Sequence, residues 1–365
     1  MMRVTHVVND LNTGGAQTLI EALAAASRPD IATSVVVLSG EGVLSSRIRA
    51  VAADVIHLGF ERSSNRLDRL AREVRAAVLA TTPDVVHAHL LQSDLAVLLA
   101  RLPRRVARVS TVHTTGLTAS DPLRSRAFQY VAGVGGRSFD AVVACSPQAR
   151  EHMLRTGYSA RNAHVIVNGI AIGSTPGSTP RRGTLLSLSR WHPMKDHASL
   201  FAAFAIARSV LPELRLVCAG SGVDERNEPL GRLIAEHGVG DAVTLLGPIT
   251  DVPGLLAEAD ALVISSAYGE AMPMAGLEAL AAGAPVITTD VGNSAALAAD
   301  PAFVVHPSDP GGLADAILRL ETLPDDEYLT LRARSRTIVE ASFSIDACAA
   351  SYRALYESAL VRRRA

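Results

Sequence analysis

Thr184-Leu185-Leu186-Ser187-Leu188-Ser189-Arg190-Trp191-His192-Pro193-Met194-Lys195 is the stretch on which the fold turns. A short apolar run ends in a polar loop with two cations, and a helical pattern begins near His197, so the segment predicts strand, loop and helix in succession. The same unit recurs downstream, with strands expected at Leu214 to Ala219, Ala242 to Leu246, Ala261 to Ser265 and Pro285 to Thr289, and a closing helix from Ile345 to Val361. Upstream, Val4 to Val8, Thr33 to Leu38, Asp84 to His89, Val109 to His113 and Ala141 to Ala144 read as strands. Helical stretches lie between them, the first from Thr18 to Ala26. Such alternation builds parallel sheets covered by helices.

Between the two series lies Gly173-Ser174-Thr175-Pro176-Gly177-Ser178-Thr179-Pro180, whose composition cannot make a core element. The expected fold is therefore α/β, with two Rossmann-like, doubly wound domains and a cleft between them. The first covers residues 1–171 and the second 183–344, joined by a linker at 172–182. Residues 345–365 form a helix expected to pack back towards the first domain. Ligands on such sheets bind at the carboxyl ends of the strands.

The length of 365 residues exceeds one ordinary core and fits two domains of about 150–200 residues each. A hydrophobic share of 48% excludes intrinsic disorder, and 27 Gly with 18 Pro exclude collagen-like or low-complexity structure. Cys145, Cys218 and Cys348 are odd in number, far apart and without metal-ligand spacing, which points to a reducing cytosol. No apolar run reaches the roughly 18–20 residues that span a bilayer. Met1-Met2-Arg3-Val4 lacks the features of a secretory signal, so a soluble cytoplasmic protein is expected.

Net charge is -1, yet residues 1–171 hold 19 Arg against 13 acidic residues, and residues 172–365 hold 16 basic against 23 acidic. Either the first domain has an anionic partner or surface charge simply drifts between domains. Of the 35 basic residues all but one are Arg, and the exception is Lys195.

Three clusters can carry chemistry. Asn12-Thr13-Gly14-Gly15-Ala16-Gln17 opens the first helix, where small residues and free N–H groups favour an anion. Neither this loop nor Gly220-Ser221-Gly222 completes the Gly-x-Gly-x-x-Gly dinucleotide pattern. In the second cluster Arg190 and Lys195 can neutralise a diphosphate, the arginine as a two-pronged donor and the lysine as a point charge. The third is Tyr268-Gly269-Glu270-Ala271-Met272-Pro273-Met274-Ala275-Gly276-Leu277-Glu278. It places two carboxylates around an expected helix start at Pro273, with the N–H groups of Ala271 to Met274 exposed beside them. Ionised carboxylates accept hydrogen bonds from vicinal hydroxyls, so sugars and riboses suit them.

These pieces, in this order, resemble the retaining glycosyltransferases of family 4, which have the GT-B fold. The resemblance spans nearly the whole chain. It takes in Gly14-Gly15-Ala16-Gln17, Val167-Asn168-Gly169-Ile170, the Arg190 to Lys195 loop, Cys218-Ala219-Gly220-Ser221-Gly222, Leu246-Gly247-Pro248 and Asp251-Val252. The Glu270/Glu278 pair followed by Gly283-Ala284-Pro285-Val286 is its most specific part.

The resemblance implies that Glu278 holds the ribose of a nucleotide sugar and Glu270 the hydroxyls of the transferred sugar. Arg190 and Lys195 would stabilise the departing diphosphate, and Gly14 and Gly15 would let the first domain approach it. His113 would contact the donor sugar. Gly220, Met272, Pro273 and Met274 complete the expected donor-binding set. Two departures stand out: Ala271-Met272-Pro273-Met274 replaces the usual Gly-Phe type of pair, and Thr114 stands where Asp is common. The first bears on the identity of the sugar, the second on the acceptor side.

With no Asp-x-Asp pair and no His, Cys or carboxylate cluster at metal spacing, no metal or other cofactor is expected. The implied activity is metal-independent transfer, with retention, from a UDP- or GDP-sugar to a hydroxyl of a glycan, lipid-linked or small-molecule acceptor, in polysaccharide or glycoconjugate synthesis. A nucleic-acid partner is not expected. His87 and His89 are read as core residues rather than acceptor contacts. Arg101, Arg104, Arg105 and Arg108 near Leu98, Leu99 and Leu102, with Arg62, Arg66, Arg69, Arg72 and Arg75, fit either contact with an anionic membrane surface or plain surface arginine. Rival activities are a nucleotide-sugar epimerase or a glycosyl phosphorylase on the same fold, or a nucleotide-sugar-binding protein without catalysis. A nicotinamide oxidoreductase would need the missing glycine fingerprint.

Overall fold

The computed structural model describes residues 1–12, 14–60, 67–113, 115, 123–173 and 182–364, with backbone alone for 123–128 and 364. Most of the expected linker, residues 174–181, lies outside them, as do Thr13, Arg62, Arg66 and Thr114. The chain divides into two compact units, Met1–Gly169 together with Ile345–Ala365, and Ile170–Ser344.

The first unit holds a seven-stranded sheet of β1 (Met2–Val8), β2 (Ile31–Val37), β3 (Asp54–His57), β4 (Val85–His89), β5 (Ala107–Val112), β6 (Ala141–Ala144) and β7 (Ala163–Val165). Its order is β3-β2-β1-β4-β5-β6-β7, and all pairs are parallel. The second unit holds six strands, β8 (Thr184–Leu188), β9 (Arg215–Ala219), β10 (Val243–Leu245), β11 (Ala261–Ile264), β12 (Val286–Thr289) and β13 (Val304–Val305). These run in the order β10-β9-β8-β11-β12-β13, again parallel throughout. Expected and observed strands agree to within two residues at each end. The short strands β3, β7 and β13 were not anticipated.

Each sheet is wound outward from its first strand in both directions. The winding reverses between β1 and β4 in the first unit and between β8 and β11 in the second. Where strand order reverses, the two following loops diverge to opposite faces and leave a crevice at the carboxyl ends.

The strands are buried on both faces, which is why β4, β6, β11 and β12 read as unbroken runs of buried residues. In the second unit the helix His197–Val210 presses Leu200, Phe201 and Phe204 against Leu185, Leu216 and Val263. Truncating a buried aromatic such as Phe204 to Ala would cost about 3–5 kcal/mol. Asp196 caps that helix, accepting the Ser199 N–H at 3.2 Å, in a left-handed conformation at φ 47°. One face of the first unit's sheet packs Val4, Val85 and Val109 against Leu19, Leu23 and the helix Ile345–Arg364 through Tyr352 and Tyr356. Further along the same face Val35 and Val37 are buried against Ile20, Leu44 and Ile48.

Candidate active site

In the second unit the two loops at the winding reversal are the ones sequence singled out. The loop after β8 runs through Arg190 and a 3-10 turn, Pro193–Lys195, into the helix His197–Val210. The loop after β11 runs from Ser265 to Pro273 and into the helix Met274–Ala281. Ser265 Oγ donates to Lys195 O at 2.8 Å and Ala267 N to Met194 O at 2.9 Å, so one side-chain and one backbone donor sew the loops together.

That stitching brings Lys195 and Glu270 into direct contact, the ammonium bonding to Glu270 Oε1. Their side chains are 17% and 7% exposed, so the pair is largely withdrawn from water and its mutual attraction is little screened. Ser266 Oγ donates to the same Oε1 at 2.7 Å, and Thr289 Oγ1 donates to Ser266 O at 2.6 Å. One lobe of the carboxylate is thus fixed by two donors, and no bond to Oε2 is seen among the described residues.

Glycines make the close approaches possible. Gly292, at φ 62°, lies so near the Glu270 carbonyl that an added Cβ would sit 1.9 Å from that oxygen. Gly220, at φ 147°, lies so near Ser189 that a Cβ would be 2.1 Å from its carbonyl oxygen. Trp191 N bonds to Ser221 O at 2.8 Å, which ties the β8 and β9 loops.

Arg190 is exposed and has no hydrogen bond or ion pair among the described residues. Glu278 is partly exposed, on the fifth residue of the helix Met274–Ala281. Met272, Pro273 and Met274 are buried at its entrance. Pro273 precedes the first helical residue rather than occupying it, with φ -69° and ψ 118°. The N–H groups of Gly276 and Leu277 both reach Pro273 O, so those of Met274 and Ala275 have no backbone carbonyl among the described residues.

The first unit, taken by itself, has candidates at the carboxyl edge of its own sheet. Gly14 and Gly15 are exposed at the start of the helix Gly15–Ala26, and Gln17 Nε2 donates to Asp10 O and Asp10 Oδ1, each at 3.1 Å. His113 follows β5 directly, partly exposed, with Nε2 bonded to His89 Nδ1 at 3.0 Å. Desolvation lowers the His113 pKa to about 4, so it is neutral at physiological pH.

Spacing along the chain gave no metal-type cluster, and here strand register supplies what spacing could not. His6 on β1 pairs with His87 on β4, and one nitrogen each of His6, His87 and His89 lie within 4.8 Å of one another. The set is already bonded internally. His6 Nδ1 meets His89 Nε2 at 2.8 Å, and His87 is held by Tyr356 Oη and Thr111 Oγ1, both at 2.7 Å. His87 and His89 are fully buried. Burial lowers the pKa of all three, His6 to about 4.

Three of the arginines in the two series are paired. Arg69 and Arg72 bond to Glu73 and Asp68, and Arg75 donates to Ala100 O at 3.0 Å. Leu102 is buried, Leu99 is exposed, and Arg101, Arg104 and Arg105 are exposed. Among the described residues no helix is long and apolar enough to cross a membrane. Sequence reasoning missed Ser266, Thr289 and Gly292. Only the polar Ser265-Ser266 ending of an otherwise apolar strand hinted at the first.

Comparison with known proteins follows the same two halves. The model for glycosyltransferase family 4 matches residues 13–173, and that for glycosyl transferases group 1 matches residues 176–337. An exopolysaccharide phosphotransferase of Streptomyces coelicolor is 29% identical over 310 residues, covering 82% of this chain but only 30% of its own length. A GDP-mannose:cellobiosyl-diphosphopolyprenol alpha-mannosyltransferase of Xanthomonas oryzae is 26% identical over 359 residues, covering 93% of this chain and 92% of that protein. The chain thus spans less than a third of the first relative and nearly all of the second. Among solved structures, Anabaena HepE in complex with UDP and glucose superposes with a TM-score of 0.83 at 20% identity, over 98% of this chain and 100% of that one.

Proposed function

The chain belongs to glycosyltransferase family 4, with the GT-B fold, and from that premise we propose that it transfers a sugar from a UDP- or GDP-sugar to an acceptor hydroxyl. Transfer proceeds with retention and without a metal. The acceptor is a glycan, a lipid-linked sugar or a small molecule, in polysaccharide or glycoconjugate synthesis at the cytoplasmic side. The observation that carries this reading is the Lys195–Glu270 pair, drawn from loops 75 residues apart to the point where the second sheet reverses its winding.

In this proposal Arg190 and Lys195 take the negative charge that develops as the diphosphate leaves, a charge that fixed cations in a partly desolvated loop stabilise better than water does. Glu270 accepts hydrogen bonds from the transferred sugar at Oε2, and Glu278 holds the ribose. Gly220 keeps the β9 loop close enough for backbone contact. In the first unit Gly14 and Gly15 admit the diphosphate and His113 meets the sugar. The names of the relatives support a nucleotide-sugar donor and leave its base open.

Turnover in chelator tests the reading. Incubation with one UDP- or GDP-sugar should release the nucleoside diphosphate, and the anomeric proton coupling of the product should match that of the donor. Dependence on added manganese, or an inverted product, would overturn the metal-free retaining mechanism.

A further inference from the structure

On one face of the first sheet, alternate residues of β1, β4 and β5 stack into rows because side chains repeat with period two. His6 lies beside His87, and His89 beside Thr111. The lower half of that face is Val4, Val85, Ala107 and Val109, whereas the half nearer the carboxyl ends is imidazole. Three of these rings form a continuous line. His6 Nδ1 bonds to His89 Nε2 at 2.8 Å, and His89 Nδ1 bonds to His113 Nε2 at 3.0 Å. His113 Nδ1 lies 3.7 Å from Cys145 Sγ, whose S–H donates to Val112 O at 3.5 Å. His87 stands beside the line, held by Tyr356 and Thr111, and Thr111 bonds in turn to Tyr352 Oη at 3.0 Å.

A neutral imidazole offers one N–H and one lone pair, so each link in such a line needs a donor on one side and an acceptor on the other. The N–H groups must therefore all point the same way. Because the Cys145 S–H is spent on Val112 O, its sulfur accepts, and His113 carries its proton on Nδ1. His113 then presents a bare Nε2 to the His89 Nδ1–H, and His89 Nε2 receives the His6 Nδ1–H. Both nitrogens of His113 are engaged within the unit, so it presents a fixed ring rather than a proton for exchange.

We propose that His89, seated between His6 and His113, is a positioning residue that fixes the tautomer and ring orientation of His113 for transfer. The proposal rests on the reading that His113 meets the donor sugar. The closing experiment separates the two.

The tautomers are read from long-range proton–nitrogen correlation of histidine-labelled protein without donor. His89→Asn places an amide where Nδ1 stood and keeps a partner for His113. His89→Gln places it where Nε2 stood and leaves His113 without one. The parent and His89→Asn should show His113 wholly as the Nδ1–H form, and His89→Gln should show both forms. By analogy with the partners that orient metal-bound imidazoles, kcat should fall roughly 10- to 100-fold in His89→Gln, with KM for the nucleotide sugar and kcat of His89→Asn within about threefold of the parent.

Mixed tautomers of His113 in the parent would overturn the proposal without any variant having to fold. So would an unchanged kcat in a His89→Gln protein whose His113 tautomer had shifted. His113→Ala then assigns the fault. If that variant also turns over normally, His113 does not meet the donor, and if it is impaired, only the role given to His89 fails.

Discussion

Gly292→Ala puts the geometry of the Glu270 loop to a quantitative test. At φ 62° an alanine sits in the left-handed region, which costs about 1–2 kcal/mol. Its Cβ would lie 1.9 Å from Glu270 O and 2.8 Å from the carbonyl carbon, both under the 3.0 Å that real Cβ contacts keep. Both obstacles are backbone, so no side chain can swing aside, and forcing an extra methyl into such a contact adds about 1–3 kcal/mol. The sum predicts a destabilisation of about 2–5 kcal/mol, read as a lower urea midpoint for the second unit. Relief comes most directly by pushing Glu270 away by about an ångström, a misplacement that can cost on the order of 100-fold in rate. The control is Gly231→Ala, in the helix Glu228–Glu236, where an added Cβ meets nothing within 4 Å. That change should leave turnover alone and stabilise by about 0.5–1 kcal/mol. A Gly292→Ala protein with the parent's midpoint and turnover would refute the close approach on which the Glu270 geometry depends.

Ser266→Ala removes one of the two donors on Glu270 Oε1, a hydrogen bond to a charged group worth about 1.5–3 kcal/mol. kcat/KM should drop at least tenfold by that estimate while the protein stays folded, and parent-like kinetics would count against a role for Ser266. Glu278→Ala should chiefly raise KM for the nucleotide sugar, because ribose bonds form in the ground state as well, whereas Lys195→Ala should chiefly lower kcat. The opposite split would mean the two roles are exchanged. Acidification should weaken the first unit. Its buried histidines stay neutral when folded, so their contribution is complete above the ordinary histidine pKa of 6.5 and is lost as pH falls towards about 4. For His6 that window amounts to roughly 3 kcal/mol. Asp94, raised to about 7 by burial, opposes the loss over the same range. Protection factors of the β4 and β5 amides, corrected for the intrinsic exchange rate at each pH, should therefore fall between pH 7 and pH 5, and more so in Asp94→Asn. Exchange protection that rises on acidification would contradict the neutral histidine line.

Where apolar residues run unbroken the strands were legible to within a residue or two, because burial on both faces of a parallel strand leaves no alternative pattern. Those that escaped are short and peripheral. Asp54–His57 and Val304–Val305 are edge strands, and Ala163–Val165 carries a histidine and an exposed valine. Too few residues remain in them for a period to show. Loop chemistry was legible as residue types, with the lone Lys195 and the Glu270/Glu278 spacing standing out. Contact was not. Nothing in the sequence says that Lys195 reaches Glu270 or that Ser266 supports it, since those bonds follow from the way β8 and β11 lie side by side. The histidine line is the clearest instance. His87-x-His89 repeats at strand spacing, yet its junctions with His6 and His113 depend on the register of β1, β4 and β5.

The most direct test of the central claim is a thermal-shift titration of the parent protein with UDP- and GDP-sugars in chelator, repeated on Glu278→Ala. Saturable stabilisation by a sugar of one base, weakened in the variant, is the result that nucleotide-sugar transfer without a metal predicts. No stabilisation of the parent by any of these donors would contradict it.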